Sequence, residues 1–408
     1  MEFPFQLPLL LDGAAVSNLE ALGMEPGECS ELWALEHPGL LLSLQKEFLA
    51  AGAHALCAPT YGANRALLDT YGLAEKTREL NEGLIRLTKE AIKAAGKEEI
   101  PVGGRIGPSG LFPPPMGEED FDSIYNLYRE QIRALSKGGA DFLMIEDQSS
   151  LADMRAAVLA ARTTNLPVFV TLAVDSSGRT LTGCTLLSAL ITLQAMGIEA
   201  IGLSCSSPES MHDSFREAYP HACIPLIARP DVEAHISPED FGDAVLELTR
   251  WGAAIVGGCC GTTPGHIAAI AQRLPSSPIS FLPNPSEIPE EDTDCMAAAI
   301  EGETFFLGDD ILLSEPLSCS SQLADDMIDL EDERINAVLV QVESIDDALL
   351  LAQQGKMARL PIAVHCDSIP VLEAALRYFQ GRLIVDSDCE LEKEELIPLV
   401  SKYGAILY

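Results

Sequence analysis

Two cysteines stand side by side in a glycine-rich run, Gly257-Gly258-Cys259-Cys260-Gly261. Side chains alternate along a regular strand, so neighbours cannot both face one way from it. The flanking glycines allow an irregular backbone that turns both sulfurs toward one point. A third cysteine, Cys205, lies upstream in GLSCSS. Three thiolates from one chain are a natural zinc set. Zinc is tetrahedral, and a catalytic site leaves the fourth position open where a structural site closes it. An open position binds an incoming thiol, lowers its pKa and holds it as a thiolate near neutral pH. Such a sulfur can attack a methyl group in line. No Cys-x-x-Cys motif is present, so the set exists only if the fold assembles it. Otherwise Cys259-Cys260 reads as a buried pair of thiols and Cys205 as core.

Eight short apolar runs supply candidate strands: 7–13, 53–60, 101–107, 140–147, 167–174, 200–207, 224–230 and 253–260. Continuous apolar runs suit parallel strands covered on both faces. Helical patterns separate them. One opens with Ser237 as a candidate N-cap before Pro238, Glu239 and Asp240, acids that favour a helix start. Gly96, Gly139, Gly197 and Gly252 fall where helices end. Eight strand–helix pairs in about 275 residues match the size of a (β/α)8 barrel. A doubly wound open sheet is the competing arrangement. In a barrel the chemistry sits at the C-terminal strand ends. Those ends carry Asp12-Gly13, Thr60, Glu146-Asp147, Cys205, Arg229-Pro230-Asp231 and Cys259-Cys260, so the three cysteines share one rim. The acids of strands 1 and 4 would suit the ammonium end of an amino-acid thiol. Their plain alternatives are a turn-forming Asp12 and surface carboxylates at Glu146, Asp147 and Asp231. Cys57, Cys184, Cys223, Cys295, Cys319, Cys366 and Cys389 have no converging set and read as structural. Gly103-Gly104 with Gly107 suits close approach of the backbone to substrate and lacks the lysine of a phosphate loop.

The 408-residue chain has 26 basic and 62 acidic residues, a formal charge of −36. That field repels nucleic acid and anionic membranes. No run approaches the roughly 18–20 apolar residues of a spanning helix. The first residues lack a basic, then apolar, export signal. Eleven cysteines without that signal read as cytoplasmic thiols or metal ligands.

A proline-rich stretch, 276–298, reads as a linker between a barrel (1–275) and a smaller α/β domain (299–408). Runs at 304–309, 336–342, 360–366, 381–388 and 404–408 give that domain about half a barrel's worth of units. From residue 285 on there are 27 acidic and 7 basic residues, about −20. Ending on a strand leaves an open sheet edge, to be covered by the first domain, by a partner copy or by residues beyond this chain.

GGCCGTTPGHI (257–267) resembles the zinc signature of the homocysteine S-methyltransferase family. LLLDGA (10–15), APTYGANR (58–65), MIEDQSSLADMRAAV (144–158), SGRTLTGCT (177–185) and GLSCSSPESM (202–211) follow in that family's order. The resemblance implies a zinc barrel over residues 5–275, with Cys205, Cys259 and Cys260 as ligands. It also implies Asp12 and Glu146 at the homocysteine amino group and Thr60 at the substrate. Four places depart from the family: Ser204 and Asp231 where it has Asn, Asp147 where it has Thr, and Ala58-Pro59-Thr60 where it has Thr-Asn-Thr. Asp231 thereby becomes a candidate fourth ligand and Asp147 a further site acid. Residues 360–408 are similar to the first half of the pterin-binding domain of cobalamin-dependent methionine synthases, with His365 and Asp386 at the pterin positions.

These readings converge on a zinc-dependent transfer of a methyl group to a small-molecule thiol, homocysteine giving methionine. The alternative is a zinc-binding subunit of a corrinoid-dependent assembly, which would need a separate corrinoid protein or act on another thiol. The sequence leaves the methyl donor open among a methyl-corrinoid protein, a sulfonium and a betaine.

Overall fold

A computed structural model describes residues 3–114, 116–232, 236–275, 282, 296–308 and 310–408. The chain forms two compact units. The first comprises Met1–Pro113, Glu119–Leu181 and Ile198–Pro283; the second comprises Pro114–Glu118, Thr182–Gly197 and Asn284–Tyr408.

Each of the eight apolar runs contains a strand: β1 (Leu9–Leu10), β2 (Leu56–Ala58), β3 (Val102–Ile106), β4 (Phe142–Gln148), β5 (Val168–Ala173), β6 (Ala200–Ser204), β7 (Leu226–Arg229) and β8 (Ala253–Val256). They make one sheet in the order β1-β8-β7-β6-β5-β4-β3-β2. Every pairing is parallel. Its two ends meet where the backbone N–H groups of His54 and Ala55 donate to Leu10 O at 2.7 and 3.3 Å. This is the cyclic order of a (β/α)8 barrel rather than an open doubly wound sheet.

The helices between strands obey local rules. Thr77–Ala94 buries Leu80, Leu84, Leu87 and Ala91, the spacing of an amphipathic stripe. Asp120, Ser150, Ser207 and Ser237 each accept from the N–H three residues on, capping a helix start. Gly96, Gly139, Gly197 and Gly252 all adopt positive φ, as helix termination requires.

The barrel interior is layered. Its N-terminal floor is apolar: Leu9, Leu11, Phe142, Met144, Phe169 and Ile227 pack together, with Phe3 and Phe5 against them. The rings of Phe142 and Phe169 lie 5.0 Å apart. Gly103 serves this packing, and Gly104 serves that of the helix Phe121–Gly138 on the sheet, rather than substrate approach. A Cβ at Gly103 would stand 2.4 Å from the Phe142 ring, and one at Gly104 would stand 2.8 Å from Leu135. Gly107 lies against the ring of Tyr61 in the same way. Above the floor the interior turns ionic, with Asp12, Arg105, Glu146 and Arg229 all buried.

The second unit holds an antiparallel sheet and a parallel one. β9 (Met296–Ile300) begins inside the stretch read as a linker and pairs antiparallel with β10 (Glu303–Leu307); residues 276–281 and 283–295 lie outside the described residues. The helix Leu186–Ala195, which follows β5 in the chain, buries Leu187 and Ile191 with Ala297 and Ala299. A parallel sheet comprises β11 (Leu317–Ser318), β12 (Val338–Gln341), β13 (Ile362–His365), β15 (Ile384–Val385) and β16 (Ile406–Leu407), in that order. The short β14 (Gly381–Arg382) joins the antiparallel sheet through β9. β16 stands at one edge of this sheet among the described residues. No helix among the described residues is long and apolar enough to cross a membrane.

Candidate metal centre

At the C-terminal rim of the barrel three sulfurs converge. β6 ends at Ser204, and Cys205 follows in the left-handed region at φ 52°. That strained backbone lifts its side chain out of the strand's alternation. β8 stops at Val256, and the next five residues are irregular. Cys259 N–H donates to Pro230 O at 2.9 Å, and Cys260 N–H donates to Asp231 Oδ1 at 3.0 Å. Thr262 Oγ1 holds the loop from beneath, donating to Cys259 O at 2.6 Å and accepting from Ala14 N–H at 2.9 Å. Gly258 is required by this arrangement, since a Cβ there would meet Thr262 Oγ1 at 2.4 Å. Both adjacent cysteines therefore reach one point without a regular strand.

The sulfurs of Cys205 and Cys259 are 2.9 Å apart. Donor atoms of Cys205, Cys259, Cys260 and Asp231 all lie within 4.8 Å of one another. Zn–S bonds of about 2.3 Å in a tetrahedron separate sulfurs by roughly 3.8 Å. The cluster therefore has the donor chemistry and the scale of a zinc site, and the Cys205–Cys259 pair would open by about 1 Å to reach that spacing. Proton sharing within the cluster points the same way. Cys260 is pulled down to about 4, because the Cys205 and Cys259 thiols hydrogen-bond to its sulfur. Cys205 rises as the donor in those contacts. For Cys259 the bond from Cys205 lowers the pKa, but the bond to Cys260 and burial outweigh it and bring it to about 11. A divalent cation held by these sulfurs would displace the protons they share.

Asp231 belongs to this cluster; burial and the nearby Cys259 push it up to about 7. Asp147 takes the left-handed region at φ 58°, where the β4–β5 register shifts. Its Oδ1 accepts from Ser204 Oγ, and its N–H reaches Thr171 Oγ1 at 3.2 Å. Burial, then the charges of Glu146 and Cys259, push Asp147 up to about 8. Neither acid is a solvated loop residue. Glu233, next to this loop, lies outside the described residues.

A cavity of about 260 Å³ opens onto the sulfurs. Glu31, Tyr61, Arg105, Glu146 and Asp147 line it together with the three cysteines. Asp12 and Thr60, which the sequence places against substrate, stand behind that wall. Asp12 Oδ2 accepts from Cys57 N–H at 2.9 Å, and Oδ1 accepts from Arg105 Nη2 at 2.9 Å. Thr60 is fully buried and donates from Oγ1 to Arg105 O at 2.8 Å; its neighbours Pro59 and Tyr61 face the cavity instead.

Sequence reasoning assigned no role to Arg105 and Arg229. Both are buried inside the barrel. Arg229 Nη1 pairs with Glu146 Oε1, and its Nη2 donates to Gly258 O at 2.8 Å. Burial works against both guanidinium charges; Glu146, with Asp12, outweighs it and keeps both protonated. A charged residue inside each of two otherwise apolar strand runs, PVGGRIG and IPLIARP, was the available signal, because buried charges need partners. Glu31 was also missed: its Oε1 accepts from Gly62 N–H at 2.6 Å at the cavity wall. In the second unit, His365 Nδ1 and Asp386 Oδ2 are 2.8 Å apart and thus satisfy each other.

Residues 9–274 match the family model described as homocysteine S-methyltransferase. The chain is 26% identical to a methionine synthase of Mycobacterium tuberculosis (strain ATCC 25618 / H37Rv), with 92% of this chain and 35% of that protein covered. It is 26% identical to a methionine synthase of Mycobacterium leprae (strain TN), with 88% and 33% covered. The chain therefore spans about a third of the length of these curated relatives. Among solved structures, the metallated form of the homocysteine methyltransferase MmuM from Escherichia coli aligns with a TM-score of 0.58 at 25% identity. That alignment covers 65% of this chain and 96% of the other.

Proposed function

The chain belongs to the homocysteine S-methyltransferase family, and from that premise we propose that it transfers a methyl group to the sulfur of homocysteine, giving methionine. The observation that carries this reading is the meeting of Cys205, Cys259 and Cys260 at one small cavity that also holds Glu146. We take the metal to be zinc, held by those three sulfurs, with an Asp231 oxygen as the resting fourth donor. Zinc bound there supplies a Lewis acid that keeps the substrate sulfur as a thiolate at neutral pH. The side chains do the rest. Glu146 receives the substrate ammonium. Asp12 acts one step back, holding Arg105 in place, and Thr60 fixes the backbone of Arg105 through its carbonyl. Asp147, tied to Ser204, closes the polar side of the cavity. The thiol proton leaves to solvent on binding, and the sulfur's electron pair forms the new S–CH3 bond as the donor's bond to methyl breaks.

Likeness to methionine synthases favours a separate methyl-corrinoid protein as the donor, with this chain as the homocysteine-activating part. In that reading residues 299–408 act as a docking scaffold rather than a pterin site, since His365 and Asp386 satisfy each other. The edge strand β16 is where a second copy would pair. Ten described cysteines without disulfides suit the reducing cytoplasm.

Cys259→Ser tests the site. Metal analysis should fall well below one zinc per chain, and methyl transfer should be lost. Full zinc occupancy in that variant contradicts the proposal. A screen of a methyl-corrinoid protein, a sulfonium and a betaine identifies the donor.

A further inference from the structure

We propose that Arg105 makes the site selective for amino-acid thiols by taking the substrate's α-carboxylate, as one half of a zwitterion clamp whose other half is Glu146. The inference rests on the thiol-methylation reading above and names how the acceptor is chosen. Arg105 leaves β3 pointing into the barrel and is 6% exposed. Its Nη2 is occupied, donating to Asp12 Oδ1 and Gly13 O, each at 2.9 Å. Its Nε is buried and has no hydrogen-bond partner among the described residues. The acid oxygen facing it, Glu146 Oε2, stands 3.5 Å away, beyond a good N–H···O bond. The other Glu146 oxygen is taken by Arg229. A cationic donor and an anionic acceptor therefore stand 3.5 Å apart in two residues that line the cavity, ion-paired without a good hydrogen bond between them.

Such an open pair is poor as a structural element, because a buried N–H is left unmade. It is well made for a zwitterion, whose carboxylate meets the guanidinium while its ammonium meets the carboxylate. Charge leads to the same class of ligand. Arg105 and Arg229 against Asp12 and Glu146 sum to zero. A zwitterion keeps that buried sum at zero, whereas an amine-only thiol adds +1 and a carboxylate-only thiol adds −1, an expensive change in a low-dielectric site. Scale agrees as well: one oxygen of Glu146 lies within 4.8 Å of the Cys259 sulfur. A chain of two methylenes between thiol and α-carbon bridges such a gap.

The test uses the full-length zinc-loaded protein and calorimetry with three thiols: L-homocysteine, 3-aminopropane-1-thiol, which lacks the carboxylate, and 4-sulfanylbutanoic acid, which lacks the amine. Homocysteine should bind about 10- to 100-fold tighter than either, the worth of one charge-assisted bond in a buried site. Arg105→Met should bring homocysteine down to the level of 3-aminopropane-1-thiol measured in the same variant, so that the discrimination between the two is lost. Arg105→Lys should restore part of the preference. The wild-type series stands without any variant having to fold. Wild-type affinities for homocysteine and the amine within threefold of each other, or undiminished discrimination in Arg105→Met, overturn the clamp alone. Binding of none of the three thiols overturns both the clamp and the thiol-methylation reading.

Discussion

Arg229→Met should destabilise the barrel far more than an ordinary substitution of similar volume. Arg229 is completely buried, and its guanidinium neutralises Glu146 while holding Gly258 O at 2.8 Å. Removing one partner of a buried ion pair costs about 3–5 kcal/mol, because the other charge is left uncompensated. Arg105 Nε, 3.5 Å from the second Glu146 oxygen, retains part of that compensation. The loss should thus sit near the low end, about 3 kcal/mol. At roughly 2–4 °C per kcal/mol for a unit of this size, the melting temperature should drop by about 6–12 °C. Calorimetric melts of the zinc-loaded protein at fixed metal concentration read it directly. Glu146→Gln in the same chain should return more than half the loss, since the buried charge disappears with its partner. Homocysteine affinity should still fall in the double variant, because its ammonium has lost its acceptor. A single variant melting within 2 °C of wild type, or a double variant less stable than the single, refutes the argument that these charges stabilise each other.

A pH effect arises away from the metal centre at Asp153, which burial pushes up to about 6 although Ser109 hydrogen-bonds to it. The folded form then binds a proton that the unfolded chain, near 3.8, has released. Stability from this group is complete below about pH 4, falls as pH rises through about 6, and is lower above by about 3 kcal/mol. Urea unfolding of wild type and Asp153→Asn at pH 4 and 7.5 should show the variant gaining relative stability at the higher pH; a pH-independent difference argues against it. Gly258→Ala should lose zinc without unfolding the barrel, because its Cβ would push Thr262 from beneath Cys259; metal content and far-ultraviolet dichroism check the two halves. Gly202→Ala should fail to fold at all, since its Cβ would stand 1.8 Å from Ile227 O in the neighbouring strand; soluble, native-like protein contradicts that.

The barrel was legible because its strands are apolar on both faces and its helices carry their own caps. The antiparallel pair β9–β10 was only half legible. Met-Ala-Ala-Ala-Ile lacks the alternation that marks a strand, and Leu187 and Ile191, which pack on its alanines, lie far upstream in the sequence. The meeting of the cysteine sulfurs could be read through glycine chemistry at Gly257–Gly261, but the left-handed backbone of Cys205 and Asp147 carries no residue-type signal. The ionic layer was illegible as a set. Arg105 and Asp12 are 93 positions apart, so only the closed barrel reveals that they pair. For the same reason the reading of Asp12 and Thr60 against substrate did not include their shared partner: Asp12 accepts from the Arg105 guanidinium and Thr60 donates to Arg105 O.

Zinc K-edge absorption on the full-length protein, before and after L-homocysteine, tests the central claim most directly. The account predicts three sulfurs and one oxygen in the resting shell, and four sulfurs once the thiol is added. A resting shell with fewer than three sulfurs, or one that homocysteine leaves unchanged, contradicts it.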